Sequence, residues 1–175
     1  MALLPILEVP DSRLRRKAAP VETVDTRVRK LIGDMFETMY EAPGIGLAAV
    51  QVGALDRVFV MDLQPEGEDG IAAKIPRAFI NPELVWSSDE RSTYNEGCLS
   101  IPEQYAEVER PARVRARWLD EDGRGHEAEL EGLTATCVQH EIDHLNGVLF
   151  IDHITRLKRD ILLRKLAKAR RDNDK

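Results

Sequence analysis

The feature that most constrains this chain is the pentapeptide H-E-I-D-H at residues 140–144. It lies within a segment whose apolar spacing predicts a helix from about Leu133 to Leu145, ending at Asn146-Gly147. Residues four apart share one face of a helix, so both imidazoles can bind one metal ion. Glu141 lies about 100° further around the axis and can reach a water beside that ion. The alternative is an exposed helix whose histidines pair with nearby acids.

A catalytic metal site needs a third protein ligand. A downstream glutamate is excluded, because the chain has no Glu after Glu141. The longer H-E-x-x-H-x-x-G-x-x-H pattern fails because its last position is Phe150. Asp152 and His153 remain as downstream candidates, although they follow Gly147 so closely that the chain would need a strained reversal to bring them back.

Upstream, Cys98 lies in the stretch E-G-C-L-S at residues 96–100. A thiolate is a strong ligand for a borderline or soft divalent metal. Together with His140 and His144 it leaves a fourth position open, as in catalytic rather than structural sites. The alternatives for Cys98 are a buried free thiol or a disulfide with Cys137, which we otherwise interpret as a small core residue.

A third element is G-I-G-L-A-A-V-Q at residues 44–51. Its glycines do not match the dinucleotide fingerprint, and it has no Lys for a phosphate loop. On its own it indicates a turn followed by a buried strand. Its last residue, Gln51, follows an apolar run, so its amide is a candidate donor to a developing oxyanion.

The remaining pattern predicts an α+β fold. Asp25 to Glu41 has the i, i+3, i+4, i+7 spacing of an amphipathic helix, with Asp25 as N-cap, and a further helix is expected from about Thr155 to Arg171. The turn at Asp122-Gly123 predicts a hairpin. Strands are expected at residues 57–63, 78–86, 113–119 and 126–130, with a Pro/Gly/acid-rich loop at 64–76.

Length and charge limit the class of protein. The 175 residues predict one domain at 1–155 and a basic helical tail at 156–175. The tail has nine Lys/Arg and three Asp, so it carries +6 and the remainder carries −12. An acidic body argues against a specific DNA-binding protein. The longest apolar runs have four residues, so no membrane span is expected. The N-terminus lacks the pattern of a secretory signal. Two cysteines cannot form a disulfide framework, so we expect the protein to be cytoplasmic.

Taken together, the three motifs resemble the peptide deformylase family. That family carries a Gly-Leu-Ala-Ala stretch ending in Gln, a Glu-Gly-Cys-Leu-Ser stretch and a Gln-His-Glu-x-x-His helix. Here they are residues 44–51, 96–100 and 139–144, in the same order. The resemblance runs from about residue 3 to the tail, which is similar to that of the bacterial subclass with a C-terminal helix. It implies short mixed or antiparallel sheets around the motif helix, with N-terminal and C-terminal helices.

The resemblance also implies a function and a set of roles. The expected reaction is removal of the formyl group from N-formylmethionyl nascent peptides, releasing formate, with one divalent ion per chain. The family uses Fe²⁺ natively, and Zn²⁺, Ni²⁺ or Co²⁺ can substitute. The implied residues are Cys98, His140 and His144 as metal ligands; Glu141 as general base and acid; Gln51 and the Leu99 N–H as oxyanion donors; Ile45, Gly46 and Gly97 along the substrate backbone; Leu133, Thr136 and Cys137 around the methionine side chain; and Glu96 with Arg110 as a supporting ion pair.

Two departures and two rival functions accompany this interpretation. Several family members carry Arg where this chain has Tyr105, and the 64–76 loop is longer than in short members.

An H-E-x-x-H endopeptidase is disfavoured by Cys98 and Phe150. A non-catalytic binding module is disfavoured because a structural site needs neither Glu141 nor Gln51. The +6 tail suits rRNA phosphates, and from it we predict contact with the ribosome.

Overall fold

The computed structural model describes residues 2–67 and 70–173. Residues 68–69 of the predicted 64–76 loop and the last two residues of the 156–175 tail lie outside this part. The helices are α1 (Thr26–Glu41), α2 (Gly132–Leu145) and α3 (Arg156–Asn173). The strands are β1 (Gly46–Ala48), β2 (Val58–Met61), β3 (Arg77–Ser87), β4 (Arg91–Cys98), β5 (Ile101–Pro111), β6 (Arg113–Leu119) and β7 (Gly125–Glu131).

Two antiparallel sheets are built from these strands. Five strands form one sheet in the order β1-β2-β3-β6-β7, and β4 pairs with β5 as a separate hairpin. The α+β prediction is therefore confirmed, as are the N-terminal and C-terminal helices. The sheets are antiparallel rather than mixed. Strands β4 and β5, which together carry the E-G-C-L-S motif at their turn, were not predicted from the sequence.

The centre of the sheet is buried on both faces. In β2, Val58 and Val60 pack in the cluster that contains α1, whereas Phe59 and Met61 pack in the cluster that contains α2. Successive side chains of a strand point to opposite faces, so a strand between two helical layers must be apolar throughout. This explains the unbroken run V-F-V-M at residues 58–61.

Helix α1 begins where the sequence predicts. Asp25 is its N-cap, and the carboxylate accepts a hydrogen bond of 2.9 Å from the Val28 N–H. Such a cap satisfies a backbone donor that has no partner within the helix. The buried face of the helix then follows the helical period through Val28, Ile32, Met35 and Met39.

Helix α2 crosses the other face of the sheet and carries the H-E-I-D-H pentapeptide. Ala135, Val138, Ile142 and Leu145 pack in the cluster that holds Phe59, Phe79 and Trp118. Because these apolar residues anchor one side of the helix to the sheet, His140 and His144 are buried on the side that faces the β4–β5 hairpin, and Glu141 is buried beside Gly46 of β1.

Helix α3 packs on the outer side of that hairpin. Leu162 and Leu166 lie in a third cluster with Ile101 and Val108 of β5, and Cys98 packs against the same cluster. Arg170 donates hydrogen bonds to the Val9 carbonyl and to the Glu8 carboxylate at 2.5 and 2.6 Å. None of the helices in the described part of the chain has the length and apolar character that crossing a membrane requires.

Candidate active site

A cleft of about 480 Å³ opens where β1, the β4–β5 hairpin and α2 meet. Eleven of the twelve predicted site residues line it: Ile45, Gly46, Gln51, Gly97, Cys98, Leu99, Leu133, Thr136, Cys137, His140 and Glu141. The twelfth, His144, is buried one helical turn beyond His140, with its ring centroid 5.0 Å from that of His140. The fold thus brings together residues that are distant in sequence.

The predicted ligands form one compact group. The ligand atoms of Cys98, His140 and His144 lie within 4.8 Å of one another, and Cys98 Sγ is 3.2 Å from His144 Nε2. Burial lowers the pKa of His144 well below its usual range, and the neighbouring His140 adds to this effect, so its imidazole is neutral and can act as a ligand. No hydrogen-bond partner reaches His144 Nδ1 among residues 2–67 and 70–173.

These residues fit a divalent metal ion. One thiolate and two imidazoles are donors that suit Zn²⁺, Fe²⁺ and similar ions. A tetrahedral site with bonds of about 2.0–2.3 Å places its ligand atoms roughly 3.3–3.7 Å apart, close to the separation of Cys98 and His144 here. The downstream alternatives are not in this group, because Asp152 forms an ion pair with Arg15 and His153 contacts Asp143. Both cysteines are free, so the alternative of a Cys98–Cys137 disulfide is wrong.

A buried ion pair supports His140 from behind. Arg110 donates to both carboxylate oxygens of Glu96 at 2.7 and 2.9 Å, and Glu96 Oε1 lies 2.9 Å from His140 Nδ1. Burial opposes ionisation of Glu96, but the hydrogen bonds from His140 and Arg110 outweigh it and lower its pKa. Because a carboxylate only accepts, Nδ1 carries the hydrogen and leaves Nε2 available as a ligand atom.

Glu141 is buried in the cleft and meets little solvent. Its exposed fraction is 4%, and Oε2 has no hydrogen-bond partner in the described chain. Burial raises the pKa of this carboxyl to about 7. The backbone of Gly46 runs directly against it, since a Cβ there would contact Glu141 Oε1 and would lie 3.1 Å from Cys137 Sγ. A glycine at position 46 thus lets a strand pass beside the carboxylate.

The amide of Gln51 is held in a fixed orientation. Its Oε1 accepts from the Ala48 N–H at 2.9 Å, so the NH₂ group must face the site. One N–H donates to Ser100 Oγ at 3.0 Å, and the contact of Nε2 with Cys98 Sγ is longer, at 3.5 Å. Leu99 lines the cleft beside this group and packs its side chain against Gly44.

The remaining predicted residues form the walls. Leu133, Thr136 and Cys137 share one face of α2 with His140, at the i, i+3, i+4, i+7 spacing. Burial raises the pKa of the Cys137 thiol, which keeps it uncharged. Across the cleft, Tyr105 pairs with Gly97, and its ring lies 2.5 Å from the position that a Gly97 Cβ would take.

Sequence reasoning missed several residues of this site. Ser100 orients the Gln51 amide, and Tyr94, Asn95 and Gln104 line the cleft. Knowledge of the pairing between β4 and β5 would have identified these cleft residues. In that pairing Asn95 lies opposite Glu107, and Gly97 lies opposite Tyr105. Without the strands, nothing indicated which polar residues face inward.

Comparison with known proteins identifies the family. The model of the family described as polypeptide deformylase matches residues 3–160. A peptide deformylase from Rhizorhabdus wittichii is 64% identical over 98% of this chain and 97% of its own length. The chain belongs to the peptide deformylase family. A crystal structure of a peptide deformylase from Legionella pneumophila has a TM-score of 0.90 at 45% identity, covering 99% of both chains. One from Ehrlichia chaffeensis, in complex with actinonin, has a TM-score of 0.89 at 43% identity, covering 97% of this chain and 98% of that one.

Family membership establishes the reaction that this chain catalyses. Peptide deformylases are hydrolases that remove the formyl group from N-terminal formyl-methionine of nascent peptides, and this chain is an enzyme of that kind. The family is metal-dependent, and the group formed by Cys98, His140 and His144 is where this chain can hold an ion.

Proposed function

We propose that Cys98, His140 and His144 hold one divalent ion, natively Fe²⁺, with Zn²⁺, Ni²⁺ or Co²⁺ able to replace it. The observation that carries this proposal is the convergence of these three donors beside a buried carboxylate. When bound, such an ion supplies Lewis-acid chemistry, which makes water a better nucleophile at neutral pH and polarises a carbonyl.

Glu141 is the general base and acid in this proposal. It takes a proton as water attacks the formyl carbon, and it returns that proton to the amine nitrogen when the C–N bond breaks, giving formate and a free amino terminus. A carboxyl with a pKa of about 7 can do both at neutral pH. Gln51 Nε2 and the Leu99 N–H donate to the oxyanion, an interaction whose loss typically costs roughly 10²–10³ in rate.

The walls select the substrate. Leu133, Thr136 and Cys137 surround the methionine side chain, while the backbones of Ile45, Gly46 and Gly97 border an extended peptide. Residues 1–155 form the catalytic domain, and residues 156–175 form the basic tail. Because the substrate is a newly made polypeptide, we place the protein in the cytoplasm.

Formate release from a formyl-Met tripeptide tests this proposal. The full chain is purified without oxygen and loaded with Fe²⁺ or Ni²⁺, then compared with Glu141→Ala and with Glu22→Ala, which removes an exposed carboxylate. We expect turnover to disappear in Glu141→Ala while the ion stays bound, and to persist in Glu22→Ala. Turnover in Glu141→Ala, or cleavage of an internal amide by the wild-type chain, would contradict the assignment.

Contact with the ribosome is proposed through the exposed cations of α3. Deleting the tail would also remove Leu162 and Leu166 from the third cluster, so neutral substitutions test the idea better. One variant changes to Gln the exposed residues Arg164, Lys165 and Lys168. The matched control makes the same change on β6 at Arg113, Arg115 and Arg117. Co-sedimentation with ribosomes should weaken with salt and fall only in the α3 variant; equal binding by both would refute the contact.

A further inference from the structure

The ion pair behind His140 continues to the protein surface. Arg110 Nη1 donates to Asp143 Oδ2 at 2.8 Å, on the opposite side of the guanidinium from Glu96. The same Asp143 oxygen lies 2.7 Å from His153 Nε2. Three side chains, Asp143, Arg110 and Glu96, therefore link a half-exposed histidine to the nitrogen of His140 that faces away from the ligand group.

The geometry fixes what each member of this chain does. Arg110 is buried and spans two carboxylates, so its guanidinium cannot rotate without breaking one of the two ion pairs. Carboxylates only accept, so His153 Nε2 donates to Asp143. Asp143 Oδ2 thus accepts hydrogen bonds from both His153 and Arg110. These two contacts fix the position of the Asp143 carboxylate relative to the guanidinium.

The charges of Asp143, Arg110 and Glu96 also affect the strength of His140 as a donor. Asp143 and Glu96 share the single positive charge of Arg110. Without the Asp143 charge, Arg110 would be paired with Glu96 alone and would withdraw more electron density from it. Glu96 would then be a weaker acceptor for the His140 N–H, and the imidazole would be a weaker donor to a cation.

We propose that Asp143 and His153 are positioning residues that set the orientation and donor strength of His140 through Arg110 and Glu96. This inference rests on the proposed role of His140 as a metal ligand. Neither residue lines the cleft, so they act on the ligand group and not on the substrate. His153 is the outermost member, with about a third of its side chain exposed, so its substitution leaves the core packing in place.

The chain contains a matched control pair. His126 Nε2 lies 2.6 Å from Asp120 Oδ2 at the β6–β7 turn, in an exposed His–Asp contact that does not lead to the site. The test measures three quantities in the full chain: Co²⁺ affinity by competition with a chelator, the visible spectrum of the Co²⁺-loaded protein, and kcat and KM for a formyl-Met tripeptide. The variants are His153→Ala, His153→Gln, Asp143→Asn and their controls His126→Ala and Asp120→Asn.

We expect His153→Ala, which frees the Asp143 carboxylate to turn away from Arg110, and Asp143→Asn, which removes its charge, each to lower Co²⁺ affinity and kcat about 10-fold with KM unchanged, at the lower end for partners of metal ligands. The double variant, His153→Ala with Asp143→Asn, should also lose about 10-fold in Co²⁺ affinity and kcat, because both residues act through Arg110. His153→Gln, whose amide can still donate to Asp143, should restore most of the loss. The control variants should keep the wild-type affinity and spectrum.

The proposal would be overturned by wild-type affinity, spectrum and kcat in His153→Ala, or by losses that multiply to about 100-fold in the double variant. Losses of equal size in the control pair would also refute it. His140→Ala separates this inference from the proposed function. If His140→Ala keeps the wild-type Co²⁺ affinity, the ligand assignment itself is wrong. If only that variant loses affinity, the ligand stands and the role of Asp143 and His153 does not.

Discussion

At the scale of single residues, the environment of Glu141 determines what its carboxyl can do. A solvated glutamate is ionised at neutral pH and is a poor acid, whereas burial brings the pKa of Glu141 to about 7. A group that accepts a proton in one step and returns it in the next works best when its pKa is near the working pH. The absence of a hydrogen-bond partner at Oε2 among the described residues therefore favours the proposed role.

Gly46 is the backbone position that sets the place of this carboxyl. We expect Gly46→Ala to reduce kcat about 100-fold, because the new methyl group must displace the Glu141 carboxylate or the Cys137 sulfur by a large part of an ångström. The three proposed ligands are not touched, so metal content should stay at the wild-type level. Formate release and metal analysis of the same preparation give both quantities.

Gly125→Ala is the matched control for this substitution. Nothing lies within 4 Å of the position that a Cβ would take there, so activity should be unchanged. If Gly46→Ala turned over as fast as Gly125→Ala, the close approach of β1 to Glu141 would have no part in catalysis.

Site residues can be predicted from the sequence where the residue type and its spacing both indicate the same role. The two histidines and Glu141 follow from helical periodicity alone, and Cys98 follows from the need for a third ligand. Asp143 and His153 could not be assigned in this way. Asp143 pairs with Arg110, which lies 33 residues away, and His153 joins this pair through Asp143; nothing local in the sequence marks which cation an acid will meet.

At the scale of elements, periodicity predicts the elements that have an apolar face. Helix α1 and strand β2 were found because their apolar residues follow the helical period or fill both faces of a sheet. Strand β4 was not found, because its one buried side chain is Glu96 and its partner strand buries Arg110. Strand β5 also buries Ile101 and Val108, but the inward-pointing ion pair of Glu96 and Arg110 interrupts the alternation of apolar residues that predicts a strand.

Hydrogen bonds to the Asp62 carboxylate connect α1 to the segment that follows β2. Its carboxylate accepts from the Tyr40 hydroxyl at 2.5 Å and from the backbone N–H groups of Gln64 and Ile75. We expect Asp62→Asn to lower the free energy of unfolding by about 1–3 kcal/mol at pH 7, because one acceptor becomes a donor that faces other donors. Urea unfolding at pH 7 measures this loss.

The same substitution predicts a pH dependence. Burial opposes ionisation of Asp62, but the hydrogen bonds from Tyr40, Ile75 and Gln64 outweigh it, so the folded pKa is lowered. The unfolded chain, with an Asp pKa of about 3.9, then binds more protons than the folded chain as the pH falls. The stabilisation is present above the unfolded pKa of about 3.9 and is lost as the pH falls through the lowered folded pKa, so the difference between wild type and Asp62→Asn should shrink as the pH falls below about 4. The exposed Asp89→Asn should follow the wild-type curve throughout; a constant gap for Asp62→Asn would contradict the lowered pKa.

At the scale of the whole molecule, three apolar clusters meet around the cleft. One joins α2 to the sheet, one joins α1 to its other face, and the third joins α3 to the β4–β5 hairpin. The third cluster lies behind Cys98, so the tail that carries the positive charge also supports the element that carries the thiol. The charge pattern of the sequence predicted the basic surface of the tail, whereas the packing of its leucines against β5 is seen only in the structure.

Docking of α3 is tested by two leucines of the same helix. Leu166 is 4% exposed in the third cluster, whereas Leu157 is 70% exposed. We expect Leu166→Ala to lower the free energy of unfolding by about 2–5 kcal/mol, the range for deleting a buried leucine side chain. Leu157→Ala should change it by less than about 0.5 kcal/mol, since its side chain already meets solvent. Urea unfolding of the two variants under the same metal loading separates these outcomes. Equal stabilities would mean that α3 is not held against the hairpin, and the support that the tail gives to the Cys98 strand would then be absent.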